Sequence, residues 1–387
     1  MNRISRVALI LFACFASVAW GQQRTAKCSN SWSEFLRPNM ERWNPCEKVL
    51  NVNNVGSLSL KWRHKIGSVR FSSSSPAVVN GVVYVGSADE NVYALNASTG
   101  AELWSYRTDG EVPISSPAVA NGVVYVGSDD YNVYALNAKT GAKLWSFATG
   151  GAVDSSPTVV NGVVYVGSYD NSVYALDART GAKLWSFDSG ERGGVTSSPA
   201  VANGVVYFWG GDNINLYALD ASTGAKQWSF ATSGGGFSSP AVAKGVVYAG
   251  SYDDNVYALN AKTGAKLWSF ATGNYVLSSA AVANGVVYVG SEDGNLYALN
   301  ASTGAELWDY YLGGDVNSSP AVANGVVYIG TDYNTDKSVF ALNAKTGAAL
   351  WSYGLPDPFG TESSFVVANG VVYIGSDASY VFAFGLK

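Results

Sequence analysis

Apolar and polar positions alternate in one block that returns along most of the chain: Ser-Ser-Pro-Ala-Val, Asn-Gly, Val-Val-Tyr-Val-Gly-Ser, a polar turn, Val-Tyr-Ala-Leu-Asn-Ala, Thr-Gly, and a segment closing on Leu-Trp. Each block reads as four short strands. In the first block these fall at 76–79, 82–87, 91–96 and 101–106. Asn80-Gly81 supplies the two positive φ angles that a type I′ hairpin demands. The dipeptide recurs in the other blocks, with Lys244-Gly245 the one departure. Thr99-Gly100 turns the third strand into the fourth. The second strand is apolar on both faces, which suits a sheet covered on both sides by neighbours.

The closing tryptophans are Trp62, Trp104, Trp145, Trp185, Trp228, Trp268, Trp308 and Trp351, spaced 40 to 43 residues apart. That period in a strand-rich chain indicates propeller blades. Seven blocks are complete. The last, 365–387, stops after its third strand, and the segment 58–62 with Trp62 supplies the missing outer one. Joining the two chain ends closes the ring and removes an open edge. The expectation is an all-β, eight-bladed monomeric propeller of four-stranded antiparallel blades over residues 58–387, closed by an N-terminal strand.

The first residues read as a targeting signal. Arg3 and Arg6 precede an apolar run at 7–15, and Ala19-Trp20-Gly21 places small residues where a peptidase cuts, so residues 1–21 are read as a leader cleaved before Gln22. The mature chain is then exported, to the periplasm or the extracellular space. A lipoprotein signal ending at Cys14 is the alternative, disfavoured by the bulky Phe12. Cys28 and Cys46 remain as an even pair in an oxidising compartment and are expected to form a disulfide in an N-terminal segment, 22–57. No second apolar run is long enough to span a bilayer. A net charge of −5 and a pI near 5.0 disfavour nucleic acid and anionic membrane as partners.

Ala94-Leu95-Asn96-Ala97-Ser98-Thr99-Gly100-Ala101-Glu102-Leu103-Trp104 resembles the tryptophan-docking motif of PQQ-like, quinoprotein alcohol dehydrogenase-type β-propellers, a family that includes BamB-like non-catalytic propellers. The resemblance implies that each tryptophan packs between neighbouring blades. For the dehydrogenase members it also implies pyrroloquinoline quinone, calcium, a catalytic Asp and a disulfide of adjacent cysteines. No two cysteines are adjacent here, and a Ser-His-Asp triad or His-based metal site would have to use the single His64, read as structural. No catalytic residue, metal site or cofactor is therefore assigned; pyrroloquinoline quinone with calcium is kept as the alternative.

Loops joining strands one to two and three to four are nearly uniform among blocks, whereas those joining two to three and blade to blade differ. Alternate loops share a face of a propeller, so one face is uniform and the other individual, and the individual one is expected to bind. It carries Asp89, Glu90, Asp129, Asp130, Asp170, Asp253, Asp254, Glu292 and Asp293; turn chemistry and solubility account for such acids as readily as a cationic partner does. Tyr131, Tyr169, Trp209, Tyr252 and Tyr333 interleave as partner-binding candidates. The residue before each Ser-Ser pair should approach the channel mouth; among these Asp154, Thr196, Asn317 and Glu362 are the polar candidates. The function expected is an exported non-catalytic scaffold whose acidic, aromatic face takes a protein or glycan partner. A quinone-dependent dehydrogenase and a carbohydrate-binding propeller are the alternatives.

Overall fold

The computed structural model describes residues 31–35, 41–67, 73–190, 192–210, 214–332, 338–355 and 360–387. The leader 1–21 with Cys14, and also Cys28 and Tyr333, lie outside them.

Eight antiparallel sheets form the eight blades. Blade 1 comprises Ala77–Val79, Val82–Gly86, Asn91–Asn96 and Glu102–Arg107, and blades 2 to 7 repeat this order. Blade 8 takes Val366–Ala368, Val371–Ser376 and Tyr380–Leu386 from the C-terminal part and its outer strand, Leu58–Lys65, from the N-terminal part. Leu58 pairs with Leu386 and Lys65 with Tyr380, which closes the ring as the strand count predicts. Among the described residues there is no α-helix, only a 3-10 turn at Val55–Ser57.

Local sequence sets the turns. Asn80 and Gly81 adopt φ of 51° and 79°, and Lys244 takes the same strained conformation at 48°. In the fourth strand of blade 1, Glu102 faces Leu95 and Trp104 faces Ala94, so Leu103 bulges out unpaired. Such bulges discourage further strands from adding to an exposed edge.

Hydrogen bonds between blades are repeated round the ring. Trp104 Nε1 (3.0 Å) and Tyr84 Oη (3.1 Å) both donate to the Ala138 carbonyl of the next blade. At the closure, Trp62 Nε1 (3.0 Å) and Tyr373 Oη (3.2 Å), from opposite ends of the chain, converge on Ala97 O of blade 1. The Trp62 ring lies on Gly100, where a Cβ would stand 2.6 Å from it, so this glycine serves both the turn and the docking. Blade 8 has no turn joining its third and fourth strands. Trp351 Nε1 there reaches Leu58 O (3.1 Å), while the Tyr328 hydroxyl is buried with no hydrogen-bond partner among the described residues.

A second ring surrounds the channel. The Ser75 N–H donates to Ser116 Oγ (2.9 Å), and the pattern runs through Ser156, Ser198, Ser239, Ser279, Ser319 and Ser364, whose N–H returns to Ser75 Oγ (2.9 Å). The recurrent Ser-Ser is thus a closure device: one serine links the blades, and the other, such as Ser74, accepts from the Gly86 N–H that ends strand two (3.0 Å).

The segment before the propeller lies along the innermost strands. Trp32 exchanges backbone hydrogen bonds with Val78, Ser33 O accepts from Val119, and Glu41 O accepts from Val282. Trp43–Asn44 adds a parallel strand to Ala321–Ala323. The guanidinium of Arg42, 1% exposed, donates to the carbonyls of Pro320, Ser319, Phe365 and Phe35. Asn324 and Gly370, in the uniform turns, bond Leu50 O and Glu47 Oε2, so this strap closes the channel on the uniform side. Cys46 within it is disulfide-bonded.

Candidate functional site

The strap leaves a blind funnel of about 240 Å³. All eight residues preceding the Ser-Ser pairs line it: Ser73, Ile114, Asp154, Thr196, Phe237, Leu277, Asn317 and Glu362. Below them the serine ring forms a throat, and Phe35 of the strap contributes to the lining. The mouth residues stand there because each leads into the innermost strand of its blade, on the side away from the Asn-Gly turns.

Acids on this face fall into two groups. In the first, the aspartate four residues before the strand-three tyrosine is tied into the scaffold. Asp130 accepts from Tyr134 Oη (2.6 Å), from its own loop at Asn132 N (2.9 Å), and from the neighbouring blade at Asp109 N (3.0 Å). Asp170, Asp253 and Asp293 do the same with Tyr174, Tyr257 and Tyr297 and the adjoining loop. Structure explains these four, in keeping with the turn chemistry read from the sequence.

The second group gathers at the mouth, and among the described residues no salt bridge joins it to a cation. Asp154, 9% exposed, lies close to Asp129 and Tyr169. Burial, then the hydrogen bond and charge of Asp154, raise Asp129 to about 7, so the pair retains a proton near neutrality. The Tyr169 hydroxyl is pushed up to about 12, chiefly by burial and then by Asp154. Across the ring, Asn317 Nδ2 donates to Asp332 Oδ2 (2.9 Å). Asp332 is 1% exposed, and burial followed by the charges of Glu362 and Asp377 raises it to about 8. Its Oδ1 and the Oδ1 of Asn317 are buried with no hydrogen-bond partner among the described residues. Burial, then Asp315 and Glu362, also raise Glu292.

The aromatic candidates separate. Tyr169 lines the funnel, and Tyr131 is exposed on the rim. Tyr252 stands edge-on between Phe237 (5.2 Å, 81°) and Tyr275 (5.1 Å, 88°), and its hydroxyl is raised to about 12, mainly by burial. Trp209 departs from expectation: it is 0% exposed and unavailable to a partner. It occupies the strand-two position held by glycine in the other blades. In blades 1, 2, 3, 5 and 6 the glycine lies beneath a valine of the next interblade loop, as Gly86 does beneath Val112; opposite Trp209 that valine is replaced by Gly236, where a Cβ would stand 2.5 Å from the indole. The size exchange between positions 209 and 236 was the sequence signal for burial. Asp315, Asp332 and Asp377 carried no such signal, because only the ring brings their blades together. His64 is half-buried in the closing strand, paired with Val381, away from the mouth.

Comparisons with known proteins agree with this architecture. A 120-residue stretch is 32% identical to the dehydrogenase subunit of the alcohol dehydrogenase (quinone) of Gluconobacter oxydans, covering 28% of this chain and 16% of that relative's length. The quinohemoprotein alcohol dehydrogenase of Comamonas testosteroni superposes with a TM-score of 0.78 at 17% identity, over 93% of this chain and 81% of that one. BamB from Moraxella catarrhalis gives a TM-score of 0.68 at 20% identity, over 84% of this chain and all of that one. At these identities the superpositions speak to fold alone. The family profile described as outer membrane protein assembly factor BamB matches residues 56–169, 113–207, 169–280 and 274–387, so this chain belongs to that family of PQQ-like propellers.

Proposed function

We propose that this protein is an exported, non-catalytic binding scaffold of the cell envelope that engages a protein partner through its individual face. The observation carrying this reading is the division of labour between residues. The repeated side chains, namely the docking tryptophans, the serine ring and the Tyr–Asp pairs, are consumed in holding the ring. The side chains that differ from blade to blade, including Tyr131, Tyr275 and the mouth acids, are exposed or line the funnel.

The dehydrogenase relatives bring a quinone into consideration, and the funnel lining is a poor match for it. Pyrroloquinoline quinone is a tricarboxylate. The described lining offers Asp154 and Glu362 and no Lys or Arg, so like charges would meet with nothing to offset them. Among the described residues, no three His, Cys, Asp or Glu are grouped to hold a metal ion. The test is to add the quinone and calcium to the purified chain, follow absorbance, and assay alcohol- and sugar-dependent dye reduction. The scaffold reading expects neither a saturable spectral change nor turnover. Saturable binding with turnover would replace it by the dehydrogenase reading.

A further inference from the structure

The chain's net charge of −5 conceals a segregation of charge along its strands. In blades 2, 3 and 5 the third strand starts beside an acid of the individual face and ends beside a base of the uniform turns. Asp130 precedes Asn132–Asn137 and Lys139 follows it; Asp170 and Arg179 bracket Ser172–Asp177, and Asp253 and Lys262 bracket Asn255–Asn260. Strands of six residues at ~3.3 Å each span about 20 Å. Salt screens exposed charges beyond about 8 Å at physiological ionic strength, so the two ends act as separate fields. The acidic total therefore does not describe the uniform side.

The bases continue from these turns onto the outer wall. Lys143, Lys183, Lys226 and Lys266 open the fourth strands of blades 2 to 5, with Nζ 5.8–6.0 Å from the ring centres of Tyr134, Tyr174, Tyr217 and Tyr257. All these bases are exposed, and the one ion pair among the described residues, Arg107 with Glu90, belongs to blade 1. The acids at this end of blades 2 to 5 are Asp177 and Asp220, which cap their own turns by accepting from Thr180 N (2.8 Å) and Thr223 N (3.0 Å). Beside the lysines stand apolar side chains. Leu144, Leu184 and Leu267 occupy the bulges of blades 2, 3 and 5 and are 51%, 53% and 51% exposed. In blades 1 and 6 the corresponding leucine follows an acid instead, as Glu102-Leu103 and Glu306-Leu307. The Lys-Leu pairs are thus confined to one sector of the ring. The strap lies along the innermost strands, at the opposite edge of each blade.

We propose that this shoulder, where the uniform turns meet the outer wall of blades 2 to 5, docks on a bilayer surface that contains anionic phospholipid. Lys139, Arg179 and Lys262, with the lysines of the wall, face the headgroup phosphates, and their attraction acts within a Debye length of the surface. The three leucines enter the boundary between headgroups and acyl chains, as the apolar side chains of peripheral membrane proteins do. A nucleic acid would answer the cations and leave the leucines in water. The acidic face of a second copy would meet the flat turns and leave the leucines of the wall uncovered. Docked in this way, the protein turns its individual face away from the bilayer. The inference goes beyond the scaffold reading, because the two surfaces lie at opposite ends of the strands and either can fail without the other.

The test is flotation of the purified full chain with vesicles of phosphatidylglycerol mixed with phosphatidylcholine, against vesicles of phosphatidylcholine alone, each at low and at high salt. The expected result is flotation with the anionic vesicles at low salt, its loss at high salt, and none with the neutral vesicles. The triple variant Lys139→Gln, Arg179→Gln, Lys262→Gln lowers partitioning about 10-fold or more. Lys345→Gln, in the same turn of blade 7, leaves it unchanged. The triple variant Leu144→Ser, Leu184→Ser, Leu267→Ser weakens binding to anionic vesicles and leaves binding to a DNA duplex as it was. Every substituted side chain is exposed, and an unchanged circular dichroism spectrum confirms the fold of each variant. The proposal is overturned by equal flotation with neutral vesicles, by no flotation at low salt, or by a folded Lys/Arg triple variant that floats as the parent does. It is also overturned if the leucine variant floats as the parent does while DNA competes the protein off the vesicles, which marks a general polyanion site. Salt-sensitive oligomers that form without vesicles and vanish in the Lys/Arg variant, with no flotation of the parent, assign the shoulder to a second copy instead.

Discussion

The two tyrosines Tyr373 and Tyr328 occupy equivalent strand-two positions and make opposite predictions. Tyr373 Oη donates to Ala97 O at 3.2 Å, a carbonyl also held by Trp62 Nε1 at 3.0 Å. Tyr373→Phe removes one hydrogen bond and leaves its acceptor satisfied, so it should cost about 0.5–1.5 kcal/mol. Tyr328 is 0% exposed, and its hydroxyl has no acceptor, because no turn links the third and fourth strands of blade 8. Tyr328→Phe removes a buried, unsatisfied hydroxyl without changing the ring, and stands to gain about 1–3 kcal/mol. The two variants should therefore move in opposite directions and differ by about 1.5–4.5 kcal/mol. Urea unfolding of the parent and both variants, with a common denaturant slope, measures this difference directly. If Tyr328→Phe loses as much stability as Tyr373→Phe, the closure geometry assigned to blade 8 is wrong.

Three further perturbations probe the same frame. Trp62→Ala should be as destabilising as Trp268→Ala, about 3–5 kcal/mol, despite its place near the start of the chain, since both rings are over 90% buried against the next blade; hydrogen exchange should rise selectively in 58–65 and 380–386. Trp209→Gly should leave a void, and Gly236→Val should clash with the indole, but the double variant recreates the Gly–Val pair of the other blades, so a denaturation cycle should show favourable coupling above about 1 kcal/mol. Asp332→Asn addresses pH. The folded-state pKa of Asp332 is raised from 3.8 to about 8, so the native state holds a proton that the unfolded chain releases, and stability contributed by the protonated form is complete below about 4 and lost as pH rises towards 8. Asp332→Asn should leave the melting temperature unchanged at about pH 4 and raise it at about pH 8, by at least the equivalent of about 1.4 kcal/mol; a constant difference across that range would contradict the assignment.

Much of the ring was legible because its determinants are local and repeated. The Asn-Gly pairs fix their φ angles whatever surrounds them, and Trp62 advertised a missing partner for the last block. The eight mouth positions followed from a single offset, one residue before each Ser-Ser, since every blade enters the channel in the same way. What the sequence concealed depends on relations between blades. Asp129 and Asp154 meet across an interblade gap, and Asp332 is raised first by its burial in the closed ring and then by Glu362 and Asp377 on the next blade. Trp209 looked like a rim aromatic because the loop pattern was read within its own blade, whereas its burial depends on the glycine at 236. The strap gave no sign either: Arg42 is surrounded by carbonyl groups rather than acids, a pairing with no sequence spacing to betray it.

The central claim, that the individual face is the working surface, is tested most directly by site-specific photo-crosslinking in the producing cell. A photoreactive residue replaces Tyr131 or Tyr275 on the individual face, or Lys139 or Lys262 in the uniform turns, all four exposed. The account predicts a discrete protein adduct from Tyr131 or Tyr275 and none from the two lysine positions. Adducts arising from the uniform turns alone, or equally from both faces, would contradict it.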